Sequence, residues 1–200
     1  MRTAFSALLT FVLVAVAGCT RGGQEPNTAA SVATAQGESF PVYDLGSTWR
    51  DQRGATRPIG SLAGRPVVMA MIYTHCSATC PLIIGEMRRI EHATSPDVAL
   101  VLVSLDPDRD TAGRLAEYAA TEALDPGRWT LLSGSDDDTR ALAATLGVRY
   151  RRVSADELAH SNTLTLLDRT GTIVHQEMGL GAAEPILRAI RALTKTTAND

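Results

Sequence analysis

The stretch Val67–Pro81, VVMAMIYTHCSATCP, decides the fold. Val67 to Tyr73 is an unbroken apolar run rather than an alternating one, the pattern of a central strand covered on both faces. Pro81 suits an early helical position, and Leu82, Ile83, Met87 and Ile90 recur at helical spacing as far as Ala93, opposite a polar face of Glu86, Arg88, Arg89 and Glu91. A second unbroken run, Val98 to Ser104 (VALVLVS), completes a β-α-β unit. Cys76 and Cys80 therefore stand where a buried strand hands over to a helix.

Downstream, the pattern predicts a helix over Thr111 to Leu124 capped by Asp110, and another over Asp136 to Leu146, whose acidic start suits the helix dipole and which Gly147 ends. Asn162 to Leu167 and Thr172 to Gln176 read as a hairpin joined by Asp168 to Gly171, followed by a closing helix over Glu184 to Thr194. Upstream, Asp51-Gln52-Arg53-Gly54 marks an N-terminal hairpin. This order predicts an α/β domain over residues 40–195: a central mixed sheet flanked by helices, with an N-terminal β-hairpin extension. Residues 196–200 form a short tail.

Residues 1–18 read as an export signal, with one positive charge followed by an apolar run too short to span a bilayer. The run ends in Val16-Ala17-Gly18-Cys19, similar to a bacterial lipoprotein signal, in which Cys19 becomes the lipidated mature N-terminus. Residues 20–39 are small and polar, and serve as a flexible tether. The expectation is an exported domain, lipid-anchored to a bacterial membrane and facing the periplasm or cell exterior. The net charge of −3, from 19 basic and 22 acidic residues scattered along the chain, lacks the basic stripe that nucleic acid requires.

Two cysteines four residues apart share one helical face, with α-carbons about 6 Å apart, which permits either a disulfide or a shared metal. The helix N-terminus favours thiolate, and so favours both nucleophilic attack and metal ligation. A third metal ligand must come from elsewhere. Of the four histidines, His92 falls on the outer end of a helix, His175 in a hairpin strand, and His75 beside the thiols as a neighbour able to tune them. His160 ranks first, in a loop spanning Ala155 to Ser161, against the alternative of a solvated loop histidine.

Three motifs in order resemble those of the SCO/SenC proteins: Tyr73-Thr74-His75-Cys76 with Cys80-Pro81, Val103 to Thr111 (VSLDPDRDT), and His160-Ser161. The similarity runs from about Phe40 to Leu193. The resemblance implies a thioredoxin-like fold and copper, as Cu(I) or Cu(II), held by Cys76, Cys80 and His160. Thiolates and imidazole suit that metal. It further implies a metallochaperone rather than an enzyme, helping to assemble the dinuclear copper site of cytochrome c oxidase subunit II. Other periplasmic copper carriers or thiol-disulfide proteins are the remaining partners to expect.

The alternative is a thiol-disulfide oxidoreductase that keeps the oxidase cysteines reduced, in which Cys76 attacks and Cys80 resolves. Peroxidase activity is suggested by the fold alone and ranks last. Asp106 and Arg109 belong to the second motif as residues that shape its loop. Two departures stand out: Ser77 replaces a proline usual after the first cysteine, and Ala159 replaces an acidic residue often found before the histidine. The first removes a fixed φ and the second a negative charge near the site.

Overall fold

The computed structural model describes residues 40–76 and 79–196. The signal-like segment, Cys19, the tether, Ser77 and the last four residues lie outside the described residues.

The first hairpin pairs β1 (Thr48–Asp51) with β2 (Thr56–Pro58) antiparallel. The Asp51 carboxylate closes its turn by accepting from the N–H groups of Arg53 and Ala55. β3 (Val67–Ile72), α1 (Cys80–Ala93) and β4 (Ala99–Ser104) form the β-α-β unit, with β3 and β4 parallel. Every residue of both strands is buried, as strands packed on both faces require. After α2 (Ala112–Thr121), β5 (Trp129–Ser133) runs parallel to β4 and accepts β1 antiparallel on its other side. The N-terminal hairpin is thus an extension of the main sheet, joined through a strand that the sequence pattern does not predict.

α3 (Asp136–Thr145) is capped by Ser135, whose hydroxyl accepts from the Asp138 N–H at 3.0 Å. β8 (Thr163–Leu167) and β9 (Ile173–Met178) form the late hairpin, β8 lying antiparallel to β3, and α4 (Ala183–Thr196) closes the chain. The seven-stranded order is β2-β1-β5-β4-β3-β8-β9, a mixed sheet of the thioredoxin-like kind. Glu86, buried on α1, accepts from the Ala183 N–H at 2.8 Å and so fixes the first turn of α4 against α1.

Two expectations need correction. His160 does not sit in a loop: β6 (Tyr150–Arg152) and β7 (Leu158–His160) form a separate two-stranded sheet in which Tyr150 pairs with His160. Asp110 does not cap α2 either. The cap is Thr111, whose hydroxyl accepts from the Arg114 N–H, while the Asp110 carboxylate is 0% exposed and turns inward to stronger donors. A buried carboxylate needs such partners more than a helix end needs a charge.

The loop joining β8 to β9 supports the chain entering the domain. The Val42 N–H donates to Gly171 O, and the Tyr43 ring lies over Gly171, which holds a φ of 89°. A Cβ there would stand 2.5 Å from two ring carbons of Tyr43. Gly171→Ala is therefore strained in both backbone and packing, and is expected to lower stability by about 2–4 kcal/mol. Urea unfolding of the two proteins measures it.

Candidate metal centre

The carboxyl end of β3 delivers the site. After Ile72 the chain turns, the Cys76 N–H donating to Tyr73 O at 3.2 Å, and α1 begins at Cys80 with Pro81 in its first turn. Asp110 holds this turn. Its carboxylate accepts from the Thr74 N–H at 3.1 Å, from the Thr74 hydroxyl at 2.6 Å and from the Ser104 hydroxyl at 2.6 Å. Arg114 donates from Nε to the Thr74 hydroxyl oxygen at 3.0 Å. The segment carrying Cys76 is thereby tied to the ends of both central strands.

Cys76 and Cys80 are buried free thiols. The Cys80 N–H points at Cys76 Sγ, 3.4 Å away, and the Thr79 hydroxyl lies 3.5 Å from the same sulfur. Burial pushes the Cys76 thiol up, but hydrogen bonds from the Cys80 thiol, the Thr79 hydroxyl and the backbone N–H groups of Cys80 and Thr79 outweigh it, lowering its pKa to about 6. Burial pushes Cys80 far up, and its bond to the charged Cys76 adds to the effect. At neutral pH the pair is one thiolate and one thiol.

His160 reaches this pair from β7. Its Nε2 lies 3.8 Å from Cys80 Sγ, and its Nδ1 lies 3.2 Å from Ser161 O. A carbonyl oxygen only accepts, so Nδ1 carries the proton and Nε2 presents a lone pair to the thiols. Cys76, Cys80 and His160 form a group whose ligand atoms all lie within 4.8 Å of one another. Bonds from a first-row metal to sulfur and nitrogen run about 2.0–2.3 Å, so atoms sharing one ion lie within about 4.6 Å of each other. A shift of a few tenths of an ångström brings this set into range, and two sulfurs with one imidazole suit a soft to borderline metal.

The other histidines lie apart from this group. His92 is exposed at the end of α1, and His175 pairs with Glu177 at 3.2 Å on β9. His75 adjoins Cys76 in sequence but turns toward Asp106, its Nε2 3.4 Å from the carboxylate, with its ring edge-on to Tyr73. Tyr73 also meets the His160 ring edge-on, at 5.8 Å between centroids. Tyr73 and Thr79, both within the motif, thus join the site without being candidate ligands: one meets the imidazole edge-on, the other polarises Cys76.

The SCO1/SenC family model matches residues 44–195, three quarters of the chain. The chain belongs to the SCO1/SenC family. It is 24% identical to the SCO1 protein homolog of Bacillus subtilis over 139 residues, 66% of this chain and 72% of the relative. Two solved structures share its fold. The copper-bound ScoI of Bradyrhizobium japonicum has a TM-score of 0.60 at 25% identity, over 72% of this chain and 96% of that one. A SCO1/SenC family lipoprotein of Bacillus anthracis has a TM-score of 0.67 at 22% identity, over 75% and 96% respectively. Among the described residues of the present family member, no helix is long and apolar enough to cross a membrane.

The thiol asymmetry is directly measurable. A thiolate alkylates and a thiol does not, so the rate at Cys76 rises with pH and reaches half its maximum near pH 6. Cys80, raised above its usual value, stays unreactive well beyond that point. Iodoacetamide labelling of the reduced protein across pH, read by peptide mass spectrometry, separates the two; equal titration of both cysteines contradicts the assignment.

Proposed function

We propose that this protein carries copper on Cys76 Sγ, Cys80 Sγ and His160 Nε2 and delivers it to the dinuclear copper site of cytochrome c oxidase subunit II. The observation that carries the reading is the convergence of two sulfurs and one lone-pair nitrogen within 4.8 Å, in a family that includes a copper-bound member. Copper here is cargo, and the chain's own groups account for its capture. Cys76 is already deprotonated at neutral pH, so binding displaces one thiol proton, from Cys80, rather than two. The Nδ1–H bond to Ser161 O holds the imidazole in the tautomer that leaves Nε2 free.

Three protein ligands, rather than the four of a closed structural site, leave room for a ligand from the receiving protein. The reading places the domain outside the cytoplasm, held at a membrane by lipid on Cys19 and free to reach a membrane-bound oxidase on its tether. The lipoprotein signal pattern at Val16 to Cys19 supports this placement.

One observation favours a second reading. A low-pKa first cysteine ahead of a buried second thiol is also the arrangement for dithiol exchange. The Cys76 thiolate attacks a partner disulfide, expelling one partner thiolate and forming a mixed disulfide. Cys80 then gives its proton to the first expelled partner thiolate and attacks Cys76 Sγ, expelling the second partner thiolate and leaving Cys76 and Cys80 disulfide-bonded.

The two readings part at His160. Under the copper reading, wild-type protein binds one copper per chain, and His160→Ala weakens Cu(II) binding by more than the roughly 10–100-fold typical of outer-shell changes. Replacing both Cys76 and Cys80 by serine abolishes the thiolate charge-transfer band. Disulfide exchange by His160→Ala persists. Titration with copper and exchange with a disulfide substrate measure both, and unchanged copper affinity in His160→Ala overturns the ligand assignment.

A further inference from the structure

His160 lies outside the main sheet, at the end of β7 and three residues before β8 begins. β6 and β7 pair only with each other, and the ladder of seven strands ends elsewhere. The hairpin meets the body of the domain through a small set of contacts centred on Asp106, a carboxylate only 1% exposed. Arg152, the last residue of β6, donates from Nη2 to Asp106 Oδ1 at 2.8 Å. Arg109 donates from Nε to Asp106 Oδ2 at 2.8 Å, and its other nitrogens reach Asp156 Oδ1 at 2.8 Å and Ala155 O at 2.6 Å in the hairpin turn. Arg152 also donates to Ala155 O at 3.1 Å. The hairpin also meets the body through the Leu158 N–H, which donates to the Tyr73 hydroxyl oxygen at a long 3.4 Å, through the buried Leu158 and half-buried Tyr150 side chains, and through the His160 ring, which lies edge-on to Tyr73.

We propose that Arg152, seated on Asp106, is a positioning residue that holds His160 Nε2 against the cysteine pair. The proposal deepens the copper reading and rests on it for its spectroscopic arm. Register supports it: Arg152 pairs with Leu158 and Tyr150 with His160, so one rigid ladder joins the seated guanidinium to the imidazole. Asp106 is itself fixed from the other side, its N–H donating to the Ser104 hydroxyl at 2.9 Å, and Ser104 also donates to Asp110. The cysteine turn and the histidine hairpin are therefore both referenced to the end of β4. A buried carboxylate holds its cations strongly because an unpaired charge there is unfavourable, which makes the clamp specific in place as well as attractive.

The test compares Arg152→Met with Arg152→Lys, which returns a cation to Asp106. In the metal-free protein, Arg152→Met is expected to speed amide hydrogen exchange at Leu158 and His160 by about tenfold or more while leaving β3 and β4 protected. In the Cu(II) protein it loses imidazole nitrogen coupling in electron paramagnetic resonance but keeps the thiolate charge-transfer band, and Arg152→Lys restores both properties substantially. A purely structural role lowers stability without separating nitrogen from sulfur ligation. Wild-type exchange and nitrogen coupling in Arg152→Met overturn the proposal. If wild-type protein binds no copper, the copper reading fails while the metal-free exchange still decides the clamp. Arg152→Gln, which keeps a polar side chain beside Asp106 without the charge, supplies the same exchange comparison where Arg152→Met does not fold: faster exchange confined to the hairpin supports the clamp, and unchanged exchange overturns it.

Discussion

The site depends on one buried carboxylate. Asp110 accepts three hydrogen bonds from Thr74 and Ser104, and so joins the chain leaving β3 to the chain leaving β4. A charged group with no solvent exposure is stable only if donors satisfy it, and here those donors belong to the segment that carries Cys76. The turn is thus held by the requirement to solvate a charge rather than by apolar packing alone. Arg114 adds a positive group through Thr74, completing a chain of partners around the negative one.

The chemistry of the cysteine pair follows from that placement. Cys76 lies just before α1, within reach of N–H groups and the Thr79 hydroxyl, whereas Cys80 begins the helix and faces the core with no exposed surface. Identical side chains four residues apart consequently hold their protons with very different affinities. This division serves metal capture and disulfide exchange equally well, because both begin with a sulfur that is already a nucleophile. The sulfurs alone therefore do not choose between the two activities, and the approach of His160 acquires its importance from that fact.

Much of the fold was legible because its central strands are so apolar. VVMAMIY and VALVLVS admit no other placement in a domain of this size, and the helix periodicity after Pro81 fixes what lies between them. β5 was missed because WTLLS is short and mixes Thr and Ser with its apolar residues; only its pairing with β4 and β1 makes it a strand. The β6–β7 hairpin escaped for a different reason. YRR and LAH carry almost no apolar alternation, and the arginines that argue against a strand are the residues that seat it, through Arg152 on Asp106. Asp110 was misread because a carboxylate before a helix is ordinarily a cap, and burial is a property of the folded chain that no local pattern records.

The departure at Ala159 takes on a definite meaning in this geometry. Side chains alternate across a strand, and along β7 Leu158 is buried, Ala159 exposed and His160 intermediate. Ala159 pairs with Arg151, on the face opposite the one His160 shares with Tyr150. A carboxylate at this position would neutralise Arg151 on the outer face instead of joining the ligand atoms. Its replacement by alanine therefore leaves the two sulfurs and the imidazole unaltered and makes the outer surface of the hairpin more positive.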